Sequence, residues 1–134
     1  MTDFLEKNRS KITEAVKKLA GFMSLECQVE FHEQLNSENK IELTVSIYTP
    51  DDARFLIGKN GQNLKALEHL VRSMFMSAKE IPRISVDIND YRRSRASYVM
   101  DMAKHAVQRV RNTQKAETLL PMSASERRVI HMEL

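Results

Sequence analysis

Leu5, Ile12, Ala15, Val16 and Leu19 recur at helical spacing near the start of the chain and predict a first helix. Thr2 or Asp3 can cap it, and Gly21 can stop it. The period then changes to two. Cys27, Val29 and Phe31 alternate with polar residues over 26–32, and Ile41, Leu43, Val45 and Ile47 do so over 40–48. The polar cluster Asn36-Ser37-Glu38-Asn39 lies between the two stretches, so the pattern predicts a β-hairpin. Thr49-Pro50-Asp51-Asp52 then reads as a helix start, with Thr49 as N-cap, Pro50 at the first helical position and two acids in the first turn. That helix is short, because Gly58 follows Phe55-Leu56-Ile57.

A second helix of this pair begins near Gly61, with a broad apolar face made by Leu64, Leu67, Leu70, Val71, Met74, Phe75 and Ala78. Pro82 blocks its continuation. Ile84, Val86 and Ile88 alternate with Ser85 and Asp87 and predict a strand over 83–89. Asp90 caps a long helix over 91–111, whose buried side is Val99, Ala103, Ala106, Val107 and Val110. Residues 117–120 read as a short extended piece closed by Pro121. Ser123-Ala124-Ser125-Glu126 has the spacing of a capping box and opens a last helix through Val129 and Ile130. No internal repeat is visible. The expected class is α+β.

Composition narrows the function. The 134 residues are 42% hydrophobic and 29% charged, which suits one folded domain or two small ones and argues against disorder throughout. No apolar run reaches the roughly 18 residues of a membrane span. Met1-Thr2-Asp3-Phe4 lacks the basic flank and apolar core of a signal peptide, so none is expected. A single cysteine, Cys27, excludes an internal disulfide and suits a reducing compartment. Its alternation with Val29 and Phe31 predicts burial. Net charge is only +3, but it is uneven. Residues 1–89 carry 12 Lys/Arg against 13 Asp/Glu, whereas residues 90–134 carry 9 against 5. A basic second half suits a polyanion, nucleic acid before membrane surface; a solvated basic face is the plain alternative.

Two of the three glycines fall in four residues, Gly58-Lys59-Asn60-Gly61, between two predicted helices. Glycine admits positive φ and leaves the main chain open to close approach. The unpaired N–H groups and positive dipole end of the following helix favour a phosphate, and Lys59 adds a formal charge. Taken as four residues alone, the motif reads first as a plain helix–helix turn. The longer stretch Ile57-Gly58-Lys59-Asn60-Gly61-Gln62, with Leu64 and Leu67 behind it, resembles the GXXG loop of KH domains. That loop clamps about four nucleotides of single-stranded nucleic acid. The element order resembles the type II arrangement, α-β-β-α-α-β. The resemblance implies a type II KH-like domain over 1–89.

Arg92, Arg93 and Arg95 stand at the start of the long helix, where the dipole disfavours cations by some tenths of a kcal/mol each. Arg93, Lys104, Arg111 and Lys115 fall within about 40° of one another on a helical projection and form one basic stripe. Such a stripe follows a phosphate backbone or is simply solvated. Arg127 and His131 are four apart and share a face of the last helix. The string from Leu120 to His131 resembles the signature of the R-x-x-x-H domain, which binds single-stranded nucleic acid. By that resemblance residues 90–134 form such a domain, Arg127 contacts phosphate, and His131 bonds phosphate or stacks on a base.

A KH domain followed by an R-x-x-x-H domain resembles the bacterial Jag family, also called KhpB or EloR. The family also has an N-terminal Jag-N domain and linker, which these residues lack. Its C-terminal domain continues into further strands beyond the Arg-x-x-x-His helix. These residues are therefore expected to be a trimmed form, or to hold an incomplete second domain. The resemblance implies a cytoplasmic RNA chaperone or post-transcriptional regulator linked to cell elongation, peptidoglycan homeostasis or sporulation. The implied ligand is single-stranded RNA, with single-stranded DNA as the alternative. The implied protein partner is a small single-KH protein or a second copy of the chain.

Nothing in the sequence points to catalysis. There is no P-loop and no G-x-G-x-x-G. His32, His69, His105 and His131 are isolated and lack metal spacing, so neither metal nor cofactor is expected. Asp51 and Asp52 diverge at a helix start and suit capping better than acid–base work. The eight Met read as core filler, and Tyr91 and Tyr98, on one helix face, as core packing. Two other function classes stay open. One is a protein-interaction adaptor that uses the helix beginning at Leu64 as an interface; the other is a nucleic-acid hydrolase, against which the missing acid–base constellation counts.

Overall fold

The computed structural model describes residues 3–75 and 81–134. The chain forms two compact units, Met1–Asp90 and Tyr91–Leu134. The first is built on a three-stranded sheet of order β1-β2-β3, with β1 at Gln28–Leu35, β2 at Ile41–Tyr48 and β3 at Arg83–Ile88. β1 and β2 are antiparallel, with Phe31 opposite Val45; β2 and β3 are parallel, with Val45 opposite Val86. A parallel pair needs a crossover. Here α2 (Arg54–Ile57) and α3 (Gln62–Ser73) lie on that connection, after the N-terminal helix α1 (Asp3–Phe22). The α+β class is as the sequence pattern predicts.

Alternation works as read in β2 and β3. Leu43, Val45, Ile47, Ile84, Val86 and Ile88 are all buried at 1% exposure or less. Leu5, Ile12, Val16 and Ala20 of α1 cover them together with Leu64, Leu67 and Val71 of α3. Phe75 closes this core, packed edge to face on Phe4 with ring centroids 5.0 Å apart. Cys27 is buried, as its position in the alternation predicts. Ile41 and Leu70 are exposed instead, because the first sits at the strand end and the second on the outer side of α3. Ala78, expected on the same helix, lies outside the described residues, as does Thr2.

Several boundaries move for identifiable reasons. α1 runs through Gly21 and stops where Ser24 takes φ 58°, letting Met23 and Leu25 N–H donate to the Ala20 carbonyl. β1 extends to Leu35 because the hairpin turn starts only at Asn36, whose Oδ1 accepts from the Glu38 and Lys40 N–H groups at 2.9 Å each. Thr49 to Asp52 do not start a helix. Thr49 Oγ1 accepts from Asp51 N, Asp52 Oδ1 accepts from Arg54 N, and Ala53 is the N-cap of α2. These side chains make local turns in place of a helical first turn. Thr49 is itself clasped by Asn89, which donates to its carbonyl and accepts from its N–H.

In the second unit, α4 spans Tyr91–Thr113 and α5 spans Ala124–Glu133. Val99, Ala103 and Ile130 form its core, with Met100, Leu119 and Met122 packed against them. The extended piece expected at 117–120 is absent as a strand; residues 114–123 have no regular structure. Arg109 Nε instead bonds both oxygens of Glu117, at 2.8 and 3.0 Å, and fastens this segment to α4. Val110 is exposed, and so is Tyr98, at 54% rather than in the core. The Arg95 guanidinium lies 5.2 Å from the Tyr98 ring centre, which gives that ring a cationic neighbour in place of an apolar one.

Candidate nucleic-acid interface

The glycine loop follows from three local constraints. The Gly58 N–H closes α2 by donating to the Arg54 carbonyl at 2.8 Å. Gly58 then takes φ 76° and ψ 174°, a region essentially reserved for glycine. A Cβ there would stand 2.8 Å from the Asn63 backbone nitrogen and 2.7 Å from its Cγ. Lys59, Asn60 and Gly61 form one 3₁₀ turn, in which Asn60 sits at φ 53° and Gly61 at φ 79°, both left-handed. Gly61 is the N-cap of α3 and supplies no side chain to cap it. Asn63 staples the loop from the far side, its Nδ2 donating to the Phe55 carbonyl at 2.6 Å.

The result is a tight main-chain cradle at the start of a 12-residue helix. Lys59 and Asn60 are exposed, Ile57 and Gly58 are half-buried and Gly61 is buried. Asp52 and Arg54 stand just before the loop as an exposed ion pair with a 2.6 Å contact. The Arg54 guanidinium holds the Asp52 carboxyl below the usual carboxylate range. Arg54 is thus already engaged, and Lys59 is the cation within the loop itself.

In the second unit the candidate residues separate into two kinds. Arg92, Arg93, Lys104, Arg111, Arg127 and His131 are exposed. Arg93, Lys104 and Arg111 fall on α4 as one stripe, whereas Lys115 lies beyond the helix end and leaves it. Arg95 is different. Its Nε meets Glu126 Oε1 at 3.1 Å, with the side chains only 17% and 14% exposed. Glu126 also closes the capping box of α5, accepting from Ser123 N while its own N–H donates to Ser123 Oγ. The arginine that looked misplaced at a helix N-terminus therefore ties α4 to α5. Burial raises the nearby Tyr91 phenol above its ordinary value; Arg95 pulls it down and Glu126 pushes it up.

Arg127 and His131 sit together, as their spacing predicts. They line a shallow concavity of about 460 Å³ with Leu119, Leu120, Met122 and Ile130. Glu117 lines it too, but its carboxylate is engaged by Arg109. The site thus pairs an apolar floor with a cation and a hydrogen-bonding ring. Sequence reasoning missed Asn63, Asn89 and the tie from Glu126 to Arg95, whose partners lie up to 40 positions away. Only the capping-box spacing hinted at one of them.

The three-stranded α+β architecture with a glycine loop between two helices is compatible with a KH-like domain. No family model matches the chain. Curated relatives do. RNA-binding protein KhpB of Clostridium symbiosum is 33% identical over 113 residues, which is 84% of this chain and 48% of that protein. RNA-binding protein KhpB of Bacillus subtilis is 36% identical over 84 residues, 62% of this chain and 40% of that protein. The namesake of Lactiplantibacillus plantarum is 36% identical over 81 residues, 59% and 25% respectively. Over these matched stretches the chain is similar to the KhpB, or Jag, family. It spans at most about half the length of those relatives.

Proposed function

We propose that this chain binds single-stranded RNA through two sites. The observation that carries the reading is the cradle at Gly58, Lys59, Asn60 and Gly61, where positive-φ glycines open the main chain at the start of α3. A phosphate fits such a helix end, with Lys59 supplying charge. Ile57 offers an apolar flank for the bases. Residues 1–89 act as a type II KH-like domain in this reading, and residues 90–134 as an R-x-x-x-H domain. In the second, Arg127 takes a phosphate while His131 bonds phosphate or stacks on a base. Arg92, Arg93, Lys104 and Arg111 add electrostatic attraction. Arg95 acts through Glu126 and positions α5.

The relatives' name, RNA-binding protein, supports the ligand class. The wider role is that of a cytoplasmic RNA chaperone or post-transcriptional regulator serving cell elongation, peptidoglycan homeostasis or sporulation, partnered by a small single-KH protein or a second copy. The adaptor reading loses its main support, because Leu64, Leu67, Val71 and Phe75 are spent in the chain's own core. No helix among the described residues is long and apolar enough to cross a membrane.

Substituting Lys59→Asp with Asn60→Asp keeps both glycines and places two negative charges where the phosphate sits. The double variant should fold and lose most affinity for a short single-stranded RNA, and wild-type affinity should fall steeply with salt. Equal binding by both proteins would move the function to the second unit. No binding by either would remove RNA as the ligand.

A further inference from the structure

We infer that Phe55 is a stacking platform for one nucleobase of the strand held at the glycine loop. The inference rests on the RNA reading above and adds a residue to it. Phe55 is 69% exposed, although its neighbour Leu56 is 4% exposed on the same short helix. An aromatic ring left in water forgoes the favourable burial of its apolar area. The backbone that carries the ring is held in place. The Phe55 carbonyl accepts Asn63 Nδ2 at 2.6 Å, and the adjacent Arg54 carbonyl accepts the Gly58 N–H at 2.8 Å. The residue that carries the ring is therefore tied to the segments on both sides of the loop.

Phe55 and Gly58 are three apart across one helical turn, which sets neighbours about 5–6 Å apart on a helix surface. A nucleotide whose phosphate meets the main chain at 58–61 has its base within reach of the ring. Aromatic side chains stack on any base, because every base has a π face. Phe4, Phe31 and Phe75 are otherwise engaged: Phe4 packs on Phe75, Phe31 lies under Arg9 and Phe75 under Lys11. Phe22 is exposed as well, but it ends α1 and is not in the segment that carries the glycines.

The test uses the full chain, a labelled oligouridine of about ten nucleotides, and an abasic ribose-phosphate strand of equal length. Phe55→Ala should weaken oligouridine binding about tenfold, within the range for loss of one stacked base. It should leave the weaker abasic binding unchanged. Phe55→Trp should keep the affinity and show indole quenching when the RNA binds. Wild-type affinity in Phe55→Ala, alongside loss in Lys59→Asp/Asn60→Asp, would overturn the platform and leave the RNA reading standing. Equal weakening on both strands would make Phe55 a structural residue and also overturn it. Failure of the wild type to bind either strand would overturn both readings. A concentration-dependent dimer that disappears in Phe55→Ala would assign the ring to a protein contact instead.

Discussion

Gly58 holds a backbone conformation that costs other residues about 1–3 kcal/mol, and a Cβ there meets the Asn63 backbone. Gly58→Ala should therefore lower the unfolding free energy by at least that strain, read as a lower urea midpoint, even before any ligand is added; an unchanged midpoint would mean the loop relaxes freely. Cys27 gives a second residue-scale expectation. Burial pushes its thiol pKa up, with Lys17 opposing. A group whose folded pKa is raised stabilises the fold below its unfolded value and loses that contribution as pH rises through the folded value. Wild type should lose more stability than Cys27→Ala between about pH 7 and pH 10, read by urea unfolding at each pH. The glycine pair was legible in the sequence because two of three glycines in four positions is conspicuous. Asn63 was not, since a polar residue in a helix reads as solvated until its acceptor is seen.

Elements formed where period and burial agree. β3 alternates throughout and β2 does so except at Ser46, which is buried between Val45 and Ile47, because one face of each strand lies under helices. The region from Thr49 to Asp52 shows the opposite case: good helix-start residues closed turns of their own, since Ser, Thr and Asp side chains compete for nearby N–H groups. Tyr98 and Val110 were misread for a related reason. α4 has a narrow buried side of Val99, Ala103 and Ala106, and helical spacing alone does not say how wide the covering layer is. The α5 capping box was legible, and it carries a consequence. Ser123→Ala should cost about 1 kcal/mol of α5 stability. Hydrogen exchange should accelerate at the α5 amides while those of α1 and α3 keep their protection; equal acceleration in both units would contradict a local cap. The same change should weaken any RNA contact made by Arg127 and His131, which α5 presents.

Charge is a property of the whole chain, and its placement separates the two units. The first is close to neutral and offers a shaped cradle; the second carries the excess of positive charge. Affinity from the second should therefore be the more salt-sensitive part, because counterion release scales with phosphates neutralised. Its acid-sensitive clasp has a defined sign. Arg109 holds the Glu117 carboxyl below its ordinary value, so the clasp is intact at neutral pH and is lost as pH falls through that lowered value. The effect on stability is small because the pair is exposed. The central claim is that the main chain at 58–61 and the α5 residues Arg127 and His131 meet the same class of ligand. Titrating a short single-stranded RNA into the 15N-labelled chain tests it most directly. Binding at both places gives the largest amide shifts at Gly58, Lys59, Asn60 and Gly61, with a second group around Arg127 and His131. Shifts confined to α1 or to the β1 edge, with these amides unmoved, would contradict it.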